Sequence, residues 1–209
     1  SRRRDAGGAA VKRVLLLGAT GAFGARLAEG LVRVGIGVVA VARGAPALAA
    51  LAARLGPAVT PLAMDRARLD AARLRALGAQ HDLFAIADAS GPFQDRPPDL
   101  PRAAIAAGLH WVDLSDARDW VAGIGALDAP ARQAGVAVLA GASSTPALSH
   151  AVLDRITEGA RAIHVIEVAI SPGNRAPRGE AVMRAILSRA GQPIRVFRGG
   201  RWTAAPGEI

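Results

Sequence analysis

The chain has 209 residues, 51% of them apolar but only 3% aromatic, with no cysteine, no tyrosine and a formal net charge of +9. This length suits one full core plus part of a second domain, and the composition excludes a disulfide framework, a thiolate metal site and an aromatic platform for single-stranded nucleic acid. The charge is almost all arginine scattered over polar helix faces, and no apolar run approaches the ~20 residues of a membrane span, so the expected partner is a small molecule, not nucleic acid or a membrane.

Residues 1–10 read as a flexible leader without the apolar core of a secretory signal. Together with the missing cysteines, this fits a cytoplasmic protein. Val14 to Leu17 is a continuous apolar run, the pattern of a strand buried on both faces. It leads into Gly18-Ala19-Thr20-Gly21-Ala22-Phe23-Gly24, which opens a helix with an expected core face of Phe23, Leu27, Leu31 and Val34. Gly18 suits a sharp turn off the strand, Gly21 close approach of backbone to a phosphate, and Gly24 tight packing of helix on strand. Unpaired N–H groups and the positive helix end then face the anion, so Gly18, Thr20, Gly21, Ala22, Phe23 and Gly24 form a candidate dinucleotide cradle. The spacing is G-x-x-G-x-x-G, a variant that points to a dinucleotide without naming a chemistry.

Val38 to Ala42 is the second expected strand, and Arg43 stands at its end. An acidic residue there would bond the 2′-hydroxyl of NAD, whereas an arginine neutralises the 2′-phosphate of NADP, so Arg43 favours NADP and leaves NAD as the other choice. A helix over Leu48, Leu51, Ala52 and Leu55 stops at Gly56-Pro57. Ala58 to Met64 is the third strand, ended by Asp65, a further candidate cofactor residue. A helix over 66–77, stopped at Gly78, precedes a fourth strand from Asp82 to Ala87. The loop beyond it contains Ala89, Ser90 and Gly91, small enough for a cofactor to lie against the backbone. A short helix from Pro101 to Ala107, a fifth strand from Trp111 into the polar tip at Asp116, a helix from Ala129 to Ala134 and a sixth strand from Val136 to Ala140 follow. The alternation predicts one doubly wound α/β domain over residues 11–145.

The pattern changes in residues 146–209, which read as the beginning of an incomplete α+β domain. Thr145 and Pro146 suit the N-cap and first position of a helix running from Ala147 to Glu158. Ile163 to Ile170 alternates like a strand, a long turn spans Ser171 to Gly179, and Pro193 to Trp202 reads as a hairpin around Gly199-Gly200.

Several segments together resemble the saccharopine dehydrogenase-like NAD(P)-binding oxidoreductase family: Gly18 to Gly24, Ala89-Ser90-Gly91-Pro92-Phe93, Ala107 to Leu114, Ser143 to Ser149 and Gly173 to Gly179. The resemblance implies a Rossmann domain followed by an α+β domain for substrate contact and dimerisation. It also implies hydride transfer with NADP or NAD to or from a C=N or C=O carbon of an amino-acid-like substrate. Short-chain dehydrogenases and sugar epimerases share this kind of glycine turn. By resemblance they pass a proton through a Tyr-x-x-x-Lys pair, which a chain with no tyrosine, and with its one lysine before the first strand, does not have.

A proton donor or polarising group is still required. Asp113, Asp116 and His150 are the catalytic candidates, against helix capping by Asp116, turn bonding by Ser115 and a packed or exposed histidine on a helix. Ser143, Ser144 and Thr145 are candidates for a substrate carboxylate, and Arg175 and Arg178 for clamping an acidic substrate, against simple capping and a solvated loop. The histidines show no metal-ligand spacing. A cofactor-binding sensor or regulatory module without turnover is the alternative reading.

Overall fold

The computed structural model describes residues 12–94, 96–169, 179–188 and 190–206. Six strands form one parallel sheet: β1 (Arg13–Leu17), β2 (Gly37–Ala42), β3 (Val59–Ala63), β4 (Leu83–Asp88), β5 (His110–Asp113) and β6 (Val138–Leu139), in the spatial order β3-β2-β1-β4-β5-β6. Chain order reverses between β1 and β4, and that switch point is where open α/β sheets bind ligands, beyond the strands' carboxyl ends.

Helices cover both faces: α1 (Ala22–Arg33), α2 (Ala45–Leu55), α3 (Ala71–His81), α4 (Asp99–Ala106), α5 (Arg118–Gly123) and α6 (Asp128–Gln133). Alternate side chains of each strand feed opposite layers. Leu15, Leu17, Val39, Val41 and Ile86 pack with Leu74 and Leu77 of α3 and Leu100 and Ala104 of α4. Val14, Leu16, Val38 and Ala40 pack with Ala28 of α1 and Leu48 and Leu51 of α2. Strands buried on both sides need apolar residues at every position, which is why β1 and β2 read as unbroken runs.

Several expectations change. The core contacts of α1 come from Gly24 and Ala28, with Leu27 and Leu31 half-buried, whereas Phe23 is 55% and Val34 70% exposed. The helix expected over 66–77 is a single 3-10 turn (Arg66–Arg68) followed by α3, which passes through Gly78 and ends at Asp82 in the left-handed region. Beyond the polar tip at Asp116, where no element is expected before Ala129, lie α5 and a 3-10 turn (Ile124–Leu127). The sixth strand is confined to two residues.

Beyond it lie a π-helical turn (Ser144–Leu148), α7 (Ser149–Ile156), α8 (Glu180–Leu187) and the antiparallel hairpin β7 (Ile194–Arg198) and β8 (Arg201–Ala205), the last as the sequence predicts. Thr145 is extended (φ −132°, ψ 126°), follows Ser143 at the N-cap position and precedes a cis peptide to Pro146, so it is not the helix cap. Of the strand expected from Ile163 to Ile170, residues 163–169 have no regular secondary structure. Alternation alone does not make a strand where no neighbour pairs with it. The leader and the turn with Arg175 and Arg178 lie outside the described residues, as does Ile170. No helix among the described residues is long and apolar enough to cross a membrane.

Candidate active site

The glycine turn is sterically closed to any larger residue at two of its three positions. Gly18 has φ +72°, and a Cβ on it would sit 2.8 Å from the Ser90 Cα and 2.9 Å from the Ala89 carbonyl carbon. A Cβ on Gly24 would sit 2.1 Å from the Gly18 carbonyl oxygen, inside any contact distance. At Gly21 the nearest atom is the same oxygen at 3.2 Å, so this glycine serves approach from outside more than internal packing. The turn is fastened by the Ala19 amide donating to the Val41 carbonyl (3.2 Å) and the Gly21 amide donating to the Gly18 carbonyl (2.9 Å). The first intrahelical bond runs from the Ala25 amide to Gly21, and no side chain caps α1. The amides of Ala22, Phe23 and Gly24 therefore lack intrahelical acceptors at the positive end of the helix. A pyrophosphate fits such a cradle: bare backbone, open donors and no carboxylate in the first turn of the helix.

Arg43 follows β2 directly, is exposed, and has no ion-pair or hydrogen-bond partner among the described residues. Asp65 uses its carboxylate locally, accepting from the Ala67 amide at 2.9 Å to cap the 3-10 turn. Ala89, Ser90 and Gly91 lie against the glycine turn, held there by the Ala89 amide donating to the Leu17 carbonyl (3.0 Å).

Beneath that loop is a polar cluster that sequence reasoning missed. Asp88, buried at the end of β4, accepts from the Ser90 amide (2.7 Å) and the Ser90 hydroxyl (2.5 Å) through Oδ1. The hydroxyl in turn accepts from Arg66 Nη1 at 3.0 Å. The same Nη1 lies 3.5 Å from Asp88 Oδ2, within ion-pair reach but without a hydrogen bond. Arg96 donates to the Ser90 carbonyl (2.9 Å) and stacks on Phe93, 5.4 Å from the ring centroid. Burial pushes the Asp88 carboxyl above its ordinary value; Arg66 and the two Ser90 bonds pull the other way, and nearby Asp113 adds to the rise. An Asp-x-Ser ending an apolar run was the available signal, because a short acid so placed folds back on the next amides.

Asp113 is not a free acid. Its Oδ1 accepts from the amides of Ser115 (3.0 Å) and Gly141 (3.1 Å), and its Oδ2 from the indole N–H groups of Trp111 (2.9 Å) and Trp120 (2.8 Å). Four donors saturate the carboxylate, so this catalytic candidate is a structural hub. Ser115 is buried and accepts from the Ala117 amide at 3.1 Å.

Between the sheet edge and the hairpin lies a cavity of about 670 Å³, lined by Phe23, Pro92, Phe93, Leu114, Asp116, Arg118, Ser143, Ser144, Ile194 and Arg195 among others. A smaller one of about 380 Å³ shares Phe23, Leu114, Ser143 and Ser144. Phe23 thus exchanges its expected place in the core for the cavity wall. Its far rim is tied to the sheet domain by Arg118, which donates to the Arg195 carbonyl (2.8 Å) and faces Trp202 at 5.2 Å. Asp116, Ser143 and Ser144 all line this cavity. Thr145 does not line the cavity, and its hydroxyl oxygen is buried without a hydrogen bond. His150 is exposed on α7 and is not brought to the cavity either. Arg178 lies outside the described residues.

No family model and no curated protein matches the chain. Solved structures do. Apo saccharopine dehydrogenase (L-Glu forming) from Saccharomyces cerevisiae aligns at 22% identity and a TM-score of 0.54, over 70% of this chain and 31% of that one. The WlbA dehydrogenase from Thermus thermophilus, in complex with NAD and alpha-ketoglutarate, aligns at 17% identity and a TM-score of 0.54, over 71% of this chain and 47% of that one. The chain thus spans about a third of the yeast enzyme and about half of the Thermus one. The strand order, the crossover at β1 and β4 and these likenesses establish a doubly wound, Rossmann-type α/β fold.

Proposed function

We propose that the chain is an NAD(P)-dependent oxidoreductase, with NADP the preferred cofactor, acting by hydride transfer on a C=N or C=O carbon of an amino-acid-like small molecule. The observation that supports this most is the glycine cradle, where a Cβ on Gly24 would collide with Gly18 at 2.1 Å and no side chain caps the first amides of α1. A sequence retains glycine at such a point when backbone must approach backbone and ligand together. The cofactor, when bound, supplies the hydride. The chain's own groups hold it: the amides of Ala22, Phe23 and Gly24 on the pyrophosphate, Arg43 on the 2′-phosphate, and Ala89 to Gly91 along the backbone edge. The apolar walls of the cavity, Phe23, Pro92, Phe93 and Leu114, exclude water from the reacting carbon. Asp116, exposed and lining the cavity, is the candidate to hold or deliver a proton, with Ser143 and Ser144 to orient a carboxylate. The division near residue 145 belongs to this proposal: every residue of the described apolar core lies at or before Ala131, and residues 146–206 contain no buried side chain among those described. Function in the cytoplasm and assembly as a homodimer are parts of the same reading.

One observation favours a regulatory module that binds the cofactor without turnover. Among the described residues, no histidine, lysine, cysteine or tyrosine lines the cavity, and the buried acid beside it, Asp113, is saturated. Calorimetric titration of NADPH and NADH into the wild type and Gly24→Ala tests cofactor binding, and loss of NADPH absorbance with a panel of amino and keto acids tests turnover. Binding with turnover supports the oxidoreductase. Binding without turnover of any substrate selects the regulatory module, and no binding overturns both.

A further inference from the structure

Arg66 occupies a place that neither its sequence position nor the glycine motif announces. It follows β3, yet its guanidinium bonds to Ser90, which follows β4. In the sheet order, β2 and β1 lie between those two strands, so their ends are three strand spacings, roughly 14 Å, apart. The Arg66–Ser90 bond therefore spans the ends of β2 and β1. The Met64 amide donates to the Ala42 carbonyl at 2.9 Å, and the Ser90 Cα sits 2.8 Å from where a Cβ on Gly18 would be. The Arg66 guanidinium is thereby held over the carboxyl ends of β1 and β2, where the adenosine half of a dinucleotide lies in a doubly wound sheet.

Its chemistry there is constrained. Nη1 is committed to Ser90 and to the buried Asp88 carboxyl at 3.5 Å, so much of its charge is already answered. Arg43, in contrast, has no partner among the described residues and is the free cation for an added phosphate. A guanidinium fixed in its own plane retains its flat faces, and the Arg66 side chain is 26% exposed. Among the described residues no aromatic ring covers it, whereas Arg96 stacks on Phe93. A planar, delocalised cation of this kind stacks on aromatic rings, which a lysine ammonium does not do in the same way.

Resting on the dinucleotide reading above, we propose that Arg66, pinned by Ser90 and Asp88, is the platform on which the purine ring of the cofactor stacks, while Arg43 reads the 2′-phosphate. Arg66 then adds affinity for the adenosine half of either dinucleotide and is indifferent to the phosphate that separates NADP from NAD.

Titration of NADH, NADPH and reduced nicotinamide mononucleotide into the wild type, Arg66→Lys and Arg43→Ala tests this, with a thermal melt of each variant. Lysine preserves the charge opposite Asp88 and so the fold, but removes the plane. The expected result is a loss of about tenfold in affinity for both dinucleotides in Arg66→Lys. Mononucleotide binding and the melting temperature should stay unchanged, and Arg43→Ala should weaken NADPH alone. Wild-type affinity in Arg66→Lys would overturn the proposal, because charge alone would suffice. Selective loss of NADPH would make Arg66 the phosphate reader, and a parallel loss of the mononucleotide would make it a loop support; either overturns the stacking role. Failure of the wild type to bind any dinucleotide is a different result, and overturns the oxidoreductase reading itself.

Discussion

Asp113→Asn is the most discriminating single change to the site. The side chain keeps its shape and one carbonyl oxygen but turns the other acceptor into an NH2 donor. Two amides converge on Oδ1 and two indoles on Oδ2, all at 2.8–3.1 Å. Whichever way the amide turns, one pair of buried donors faces another donor. Each orphaned buried donor costs about 1–3 kcal/mol, so the gross loss is about 2–6 kcal/mol. Removing a buried charge offsets part of this, and a net loss near 3 kcal/mol is expected. For a chain of this length that lowers Tm by about 6–12 °C. Urea unfolding followed by near-ultraviolet circular dichroism suits the case, because Trp111 and Trp120 both donate to the altered group. Asp116→Asn, on an exposed side chain, should stay within about 0.5 kcal/mol of wild type. An Asp113→Asn protein that loses less than 1 kcal/mol, yet loses turnover, would show that Asp113 serves chemistry and that the hub argument is wrong.

Other outcomes follow from the same geometry. Gly24→Ala should abolish dinucleotide binding measured by calorimetry, since its Cβ falls 2.1 Å from a backbone oxygen and α1 must shift off the turn; retained affinity would show that the cradle is not the site. Asp88 titrates above its ordinary 3.8 in the folded chain because of burial, so the folded state holds the proton more tightly than the unfolded one. The contribution is fully present below the unfolded value and is lost as pH rises through the folded one. Urea melts taken upward in pH from the ordinary value of 3.8 should show wild-type stability declining relative to Asp88→Asn, and a constant difference would contradict it. The Trp202 ring meets both Arg118 (5.2 Å) and Arg195 (5.3 Å), so Trp202→Leu should speed hydrogen exchange in β7 and β8 severalfold while leaving β1–β5 unchanged.

The parts of this protein legible in sequence are those whose constraint is local. An unbroken apolar run specifies a strand buried on both faces, and β1, β2 and β4 fall within a residue of their expected bounds for that reason. The glycine turn is equally local, since Gly18, Gly21 and Gly24 answer to one another across seven residues of chain. The doubly wound architecture follows from the alternation of such elements, because parallel strands need crossovers and crossovers are right-handed. Tertiary structure alone decided what each polar side chain does. Asp113 looks like a free acid until Gly141, 28 residues on, and the indole of Trp120 close around it. Arg66 looks like one arginine among many until the sheet order brings β3 and β4 to either side of the glycine turn and Ser90, 24 residues away, receives its guanidinium. Phe23 sits at core spacing on α1, yet its ring is more than half exposed and lines the cavity wall. Backbone geometry and burial period are written in neighbouring residues, whereas the partners of a buried charge are chosen by the packing of segments far apart in the chain.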